Sequence, residues 1–391
     1  MLPAEVLGMI ESGPGPTRRG ILKNGSAAGA MMIVSPGAVR GTQANSKIAV
    51  GLIGSGNRGS HDAAIVHADP RARIAALCDL FDDQIEKAKA KIRVENPAVH
   101  KDFEKLLASD LDAVIIATPV FEHPRMLEAA VESGKHIYCE KPAGANFEGC
   151  KRVIAAGRRL NPKKCLSFGF QQRYSPAYLE AYRALRAGEI GKLTSARGYW
   201  LGGSINPSRK RASDPDPSID KLRNWYSSRD YSGDFIVEQD CHNFDDLHWF
   251  IGSVPERATG YGGKSLHMER ETMDHLSLTF EFPGSLHVAY EASQNSPPGL
   301  GRVGEEYCGS LGGITTSRQK SVILLGKNQK VTETKRDITY DALEAFIGRV
   351  ISGDVENVAE RSALSTMIAL LGRAAIYNRR EATWKGEFGA D

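Results

Sequence analysis

Residues 48–59 read "IAVGLIGSGNRG", an apolar run that halts at Gly54 and continues as Gly-x-Gly-x-x-Gly through Gly56 and Gly59. No other stretch narrows the fold so far. An apolar run without alternation must be covered on both faces, which is the position of a central strand in a parallel sheet. The first glycine permits a tight turn, the second lets backbone approach a pyrophosphate, and the third lets a following helix pack on the strand. The N-terminus of that helix then offers free N–H groups to phosphate oxygens. A second apolar segment, "RIAALC" (residues 73–78), ends at Asp79, twenty residues after Gly59. An acid there accepts hydrogen bonds from ribose hydroxyls and repels a 2′-phosphate, so the spacing favours NAD over NADP. Asp82 and Asp83 stand close enough in sequence to share the role.

The alternation of strand, turn and helix continues through "DAVIIATP" (112–119), "EHPRMLEAAVESGK" (122–135), "HIYCEKP" (136–142), "NFEGCKRVIAAGRRL" (146–160) and "CLSFGFQQRYSP" (165–176). It predicts an α/β chain with a doubly wound Rossmann sheet, whose ligands bind beyond the carboxyl ends of the strands. Thr118, Lys141 and Arg173 fall at three such ends. Lys141 is the most telling of them. Glu140 precedes it and Pro142 holds it in extended geometry, so the strand stops abruptly with the lysine at the cleft. There it can bind a substrate hydroxyl, stabilise alkoxide character or relay a proton. Downstream, residues 193–200, 255–263, 276–282 and 285–291 alternate apolar and polar between turn signals, which predicts antiparallel strands. A chain of 391 residues accommodates two full cores. The reading is a Rossmann domain at 46–168 and a second domain at 169–391.

Residues 234–249, "DFIVEQDCHNFDDLHW", crowd acids, histidines and a cysteine together and look at first like a metal site. A helical metal site usually sets two histidines four apart, whereas His242 and His248 are six apart. No metal is therefore assigned. If residues 238–251 form one helix, Glu238, His242, Asp245 and Trp249 share a face. Asp240, Asp246 and His248 then belong to a solvated side.

Net charge is +3 with no basic block, so neither nucleic acid nor a membrane surface is an expected partner. The six cysteines are scattered without a Cys-x-x-Cys pair. The first 45 residues differ from the rest. "TRRGILK" (17–23), the weakly apolar "AAGAMMIV" (27–34) and small Thr42 and Ala44 resemble a twin-arginine export signal cleaved after Ala44. The apolar run is too short for a mature membrane span. The signal carries four basic and two acidic residues, so cleavage takes the charge from +3 to about +1. Export to the periplasm by the twin-arginine translocase is expected, with a cytoplasmic location as the alternative.

"GSGNRG", Asp79, "ATP", "CEKP", "GFQQRYSP" and His-x-x-Asp occur here in the order found in the glucose–fructose oxidoreductase, inositol dehydrogenase and MocA (Gfo/Idh/MocA) family, which the chain resembles over about residues 46–385. The resemblance implies a C-terminal α/β domain with a large, mostly antiparallel open sheet. One sheet face would meet the cofactor and the other an oligomer partner, as dimer or tetramer. It implies that Gly54, Gly56, Asn57, Arg58, Gly59, Asp79, Thr118, Pro119, His123, Glu140, Lys141, Gln171 and Arg173 line the cofactor. His242 would be the general base, supported by Glu238, with Lys141 polarising the oxygen. Asp245, Arg173, Tyr174 and Trp225 would hold the carbohydrate. Glu238 stands where the family usually has aspartate, and Asp240 where a small residue is common. The polar, Pro-rich segment 206–221 reads as a loop over the cleft. An exported enzyme has no free NAD pool, so its cofactor would be tightly held and restored in each cycle. The implied activity is oxidation of a sugar, glycoside or polyol hydroxyl. The alternatives are a redox-cycling glycosidase or lyase, and a non-catalytic cofactor-binding protein.

Overall fold

The computed structural model describes residues 47–203 and 214–389. The stretch at 1–45 that reads as an export signal, its expected cleavage position and the Arg-Lys-Arg tip of the 206–221 loop lie outside the described residues.

Six parallel strands, β1 (Ile48–Ile53), β2 (Ala72–Cys78), β3 (Ala98–His100), β4 (Ala113–Ile116), β5 (His136–Cys139) and β6 (Leu166–Phe168), stand in the order β3-β2-β1-β4-β5-β6. Helices α1 (Asn57–Ala68), α2 (Asp82–Ile92), α3 (Phe103–Leu107), α4 (His123–Glu132) and α5 (Phe147–Arg159) connect them. Every residue of β1 and β4 is buried, as runs without alternation require. The order reverses between β1 and β4, which opens the crevice that such sheets use for ligands.

Nine strands form the second sheet: β7 (Leu193–Leu201), β8 (Arg257–Gly263), β9 (His275–Phe282), β10 (Leu286–Ser293), β11 (Arg302–Gly309), β12 (Gly313–Ser317), β13 (Lys320–Leu325), β14 (Asn328–Glu333) and β15 (Ala382–Thr383). Their order is β14-β13-β12-β11-β7-β10-β9-β8-β15, and only β7 and β10 pair in parallel. Leu276, Leu278, Phe280, Val288 and Tyr290 point inward, while Ser277, Thr279, His287 and Glu291 face out. The remaining helices are α6 (Pro176–Arg186), α7 (Pro217–Arg223), α8 (Arg229–Ser232), α9 (Phe235–Glu238), α10 (Cys241–Ile251), α11 (Ile338–Ser352), α12 (Ala359–Asn378) and α13 (Trp384–Phe388). Among the described residues no helix is long and apolar enough to cross a membrane.

Leu343, Phe346 and Ile347 of α11 are buried in one core with Ile48, Val50, Leu52 and Ile115, so a late segment completes the first domain. Helix α12 is buried along most of its length between the two sheets, where small side chains such as Ala363, Ser365, Ala369 and Gly372 allow close approach. Two of its hydroxyls reach the site. Thr366 Oγ1 accepts the Ala143 N–H (3.0 Å), just beyond Lys141, and Ser365 Oγ donates to Asp245 (2.7 Å) on α10. One buried helix thus fixes the spacing between the lysine turn and the histidine helix.

Candidate active site

The glycine turn has the shape that its spacing predicts. Gly54 has φ +91°, and a Cβ there would lie 2.5 Å from Ala117 O. A Cβ on Gly59 would lie 2.0 Å from Gly54 O, so neither position tolerates a side chain. Gly56 meets nothing within 4 Å, which leaves the turn open above the N-terminus of α1. Asn57 is exposed on that rim. The Asp79 carboxylate accepts the Ser55 N–H (2.8 Å) and the Phe81 N–H (2.9 Å), and so ties the end of β2 to the turn after β1. Burial pushes its pKa up, against these two N–H groups. The neighbouring acids do not join it: Asp82 is 89% exposed beside Lys101, and Asp83 pairs with Lys87 and Arg223. Arg223, at the end of α7, lies 3.8 Å over the Phe81 ring. The described end of the 206–221 segment therefore leads into a helix that reaches the Asp79 turn.

Other residues assigned to the cofactor divide into two groups. Thr118 and Pro119 are half-buried at the end of β4, and Thr118 Oγ1 has no hydrogen-bond partner among the described residues. His123 is fully buried, with Nδ1 2.7 Å from Pro142 O and Nε2 3.0 Å from Thr118 O. Burial lowers its pKa, and the neutral ring donates to one carbonyl at a time. Its place is a clasp between two strand-end turns. Arg58 lies 2.9 Å from Glu140 and 3.3 Å from Asp62. Glu140 also accepts the Lys141 N–H (3.1 Å), so this buried acid anchors the turn from below.

The Lys141 ammonium donates to the carbonyl oxygen of Glu238 and to its carboxylate (3.1 Å), and the lysine side chain is 12% exposed. Burial alone would lower its pKa, but Glu238, Cys241 and Glu140 hold it above the ordinary value. Lys141 is therefore a charged donor at neutral pH and not a base. His242 is the opposite case. It is 5% exposed, neither ring nitrogen is hydrogen-bonded among the described residues, and Nδ1 is sealed off. Trp200 stacks on the ring at 5.8 Å and Phe170 meets it edge-on at 6.1 Å. Burial, followed by the positive charges of Lys141, Arg318 and Arg58, drives its pKa well below 6.5. A neutral imidazole is thus held beside a charged lysine. The Lys141–Pro142 peptide is cis.

The helix carrying His242 departs from expectation. Residues 238–251 are not one helix: α9 ends at Glu238 and α10 starts at Cys241. Between them the Asp240 N–H reaches Phe235 O (3.3 Å), a five-residue spacing that widens the turn. The supposed solvated side is also wrong. Asp240 and Asp246 are fully buried, and His248 is half-buried and bonds Ser365 (3.0 Å). Asp246 lies against Glu305, which accepts from Asn243, Thr316 and Tyr178. Burial pushes both carboxyls up, Glu305 to about 7, so the pair is not doubly charged near neutrality.

Asp245 and Arg173, both expected to hold the carbohydrate, are brought together and bond each other. Arg173 grips both carboxylate oxygens (2.7 and 2.8 Å), Ser365 adds a third bond, and the Asp245 side chain is 1% exposed. Arg173 also lies 5.1 Å over Trp249. The Tyr174 hydroxyl donates to Glu356 (2.7 Å) beside a cavity of about 380 Å³ that includes neither Lys141 nor His242. Trp225 is half-buried against Tyr226, whose hydroxyl meets Gln294 (2.8 Å). Trp200, Asp62, Glu305 and Arg318 were missed. Only Trp200 left a signal, as an aromatic in phase with the inward face of β7. Among the described residues no cluster of three or more His, Cys, Asp or Glu side chains could hold a metal ion.

Residues 48–168 match the GFO/IDH/MocA oxidoreductase family with an NAD-binding Rossmann fold, and residues 178–315 match the GFO/IDH/MocA C-terminal domain. The chain is 32% identical over 214 residues to inositol 2-dehydrogenase 4 of Saccharopolyspora erythraea, covering 53% of this chain and 55% of that protein. The match thus spans about half of that relative's length. It is 27% identical over 272 residues to scyllo-inositol 2-dehydrogenase (NAD(+)) of Bacillus subtilis, covering 66% of this chain and 73% of that protein. The solved structure of scyllo-inositol dehydrogenase from Lactobacillus casei, with bound NAD(H) and scyllo-inositol, gives a TM-score of 0.69 at 18% identity. That likeness covers 86% of this chain and 99% of the other, and it shows the fold.

Proposed function

The chain belongs to the GFO/IDH/MocA family of NAD-binding oxidoreductases, and from that premise we propose that it oxidises a secondary hydroxyl of a sugar, glycoside or polyol, cyclic polyols such as inositols among them. The observation that carries this reading is Lys141, paired with Glu238, beside a buried His242 ring that makes no hydrogen bond among the described residues. NAD, when bound, supplies the hydride acceptor. The open side of Gly56, the unpartnered Thr118 hydroxyl and Asp79 at the strand end suit a dinucleotide. Lys141 donates to the substrate oxygen and stabilises the negative charge that grows there. His242 takes the hydroxyl proton, its ring plane fixed by Trp200 and Phe170. Glu238 positions Lys141 from the opposite side.

The test is spectroscopic. The purified chain, given NAD and a panel of polyols, sugars and aryl glycosides, is expected to raise absorbance near 340 nm without releasing the aryl group. Aryl release with no net reduction would replace this reading by the redox-cycling one. Failure to bind NADH would remove both. Residues 17–44 remain proposed as an export signal, and nucleotide that co-purifies with the chain would support the tight binding that export requires.

Asp79 carries a further expectation. Asp79→Ser should reduce the preference for NAD over NADP by about 10–100-fold in kcat/KM, since both the ribose contact and the charge repulsion are lost. An unchanged ratio would shift the role elsewhere on the turn.

A further inference from the structure

Arg318 has no place in the chemistry described so far. It lies in the two-residue turn between β12 and β13, where Ser317 pairs with Lys320. Ile314 and Thr316, four and two residues earlier, are both buried on the inner sheet face, and Arg318 in the turn beyond them is half-buried. Its Nη2 lies 2.9 Å from the side-chain oxygen of Gln171, with the Gln171 amide nitrogen donating to Gly169 O (2.6 Å). Gln171 is buried and directly follows Phe170, whose ring edge meets His242. The guanidinium therefore reaches the wall of the pocket that holds the proposed base.

Three cations act on His242: Lys141, Arg318 and Arg58. Lys141 is paired with Glu238, and Arg58 with Glu140 and Asp62. Among the described residues no carboxylate pairs with Arg318. A half-buried guanidinium with one neutral partner has lost part of its hydration without gaining a counter-charge, and a ligand anion would restore the balance. We propose that Arg318 forms a carboxylate subsite, so that the preferred substrate is a sugar acid or acidic polyol. The inference rests on the oxidoreductase reading above and narrows its substrate class. A planar fork with unused N–H groups matches a carboxylate in a bidentate manner. Of the three cations, the one without a carboxylate among the described residues balances a monoanion. The carboxylate is unchanged in the reaction: a separate secondary carbinol loses a proton to His242 and a hydride to NAD, giving a ketone.

Two readouts on the full chain test this. Thermal melting in the presence of NADH is compared for D-glucuronate and D-gluconate against D-glucose and myo-inositol, and the same compounds are assayed for NAD reduction. The acids are expected to raise the melting temperature more, and to give higher kcat/KM. In Arg318→Met the acid-to-neutral ratio should fall by about 10–100-fold, as for loss of a charge-assisted bidentate contact. Arg318→Lys should retain part of the preference. The proposal fails if neutral and acidic probes stabilise the wild-type chain equally, or if the ratio survives in Arg318→Met. Because melting reads binding, it decides the subsite even where no probe is turned over. Failure to bind NADH sinks the oxidoreductase reading instead.

Discussion

Lys141→Met is expected to lower kcat by about 10²–10³-fold while NADH binding is retained. The basis is the charge state of the pair. The lysine ammonium is held protonated by Glu238, Cys241 and Glu140 despite its burial. It is therefore a donor aimed at developing negative charge, and loss of one such donor costs about 10²–10³ in kcat. His242→Asn removes the proposed proton acceptor, for which about 10²–10⁴ is usual. The pH profile tests the same pair independently. His242 acts only as the neutral ring, and burial with its cationic neighbours lowers its pKa well below 6.5. Activity should stay on its plateau at pH 6.5 and fall only as pH drops through the depressed value. Removing the Lys141 charge removes one of the causes of that depression, so the acid limb of the residual activity in Lys141→Met should move to higher pH. Retention of a tenth or more of wild-type kcat, or an acid limb that stays in place, would remove Lys141 from the mechanism. Glu238→Gln keeps the shape of the lysine's partner and weakens only its charge, so its effect should be smaller.

What could be read from the chain alone follows from the range of each interaction. The glycine turn, Asp79 and the Lys141 turn are local: their spacing dictates geometry within a few residues, and the described structure matches it. The nine-stranded sheet was legible in part because alternation marks one buried face. The histidine helix was misread because its two sides do not divide into core and solvent. Helix α10 packs against β7 and β11 on one side and α12 on another, so its acids are buried on more than one face. Asp246 meets Glu305 and Asp245 meets Arg173, partners 59 and 72 residues away. A buried acid with a distant partner has the same letter as a solvated one, and helical periodicity cannot tell them apart. Arg318 was missed for the same reason, since a turn arginine gives no periodic signal.

The Arg173–Asp245 pair should separate these two kinds of residue in solution. If Asp245 clamps α10 to the turn after β6, Asp245→Ala strands a buried guanidinium, and about 3–5 kcal/mol of stability is lost. For a chain of this size the melting temperature would fall by roughly 5 °C or more. Arg173→Met in the same background removes the stranded charge, so the double variant should recover part of the loss. A residue that instead held a substrate hydroxyl would behave differently. Asp245→Asn would then raise KM with little change in melting, since a solvated carboxylate contributes little to the fold. Denaturant titration and melting of the two single variants and the double variant, beside their KM values, distinguish the cases. A loss below about 1 kcal/mol for Asp245→Ala would overturn the clamp. The wider consequence concerns the base itself. Asp245 is one helical turn from His242, and Ser365 ties the pair to α12, whose Thr366 holds the backbone just beyond Lys141. A loosened clamp should therefore lower kcat through misplacement of His242 against Lys141, in proportion to the stability lost and without shifting the pH limb that the Lys141 charge controls.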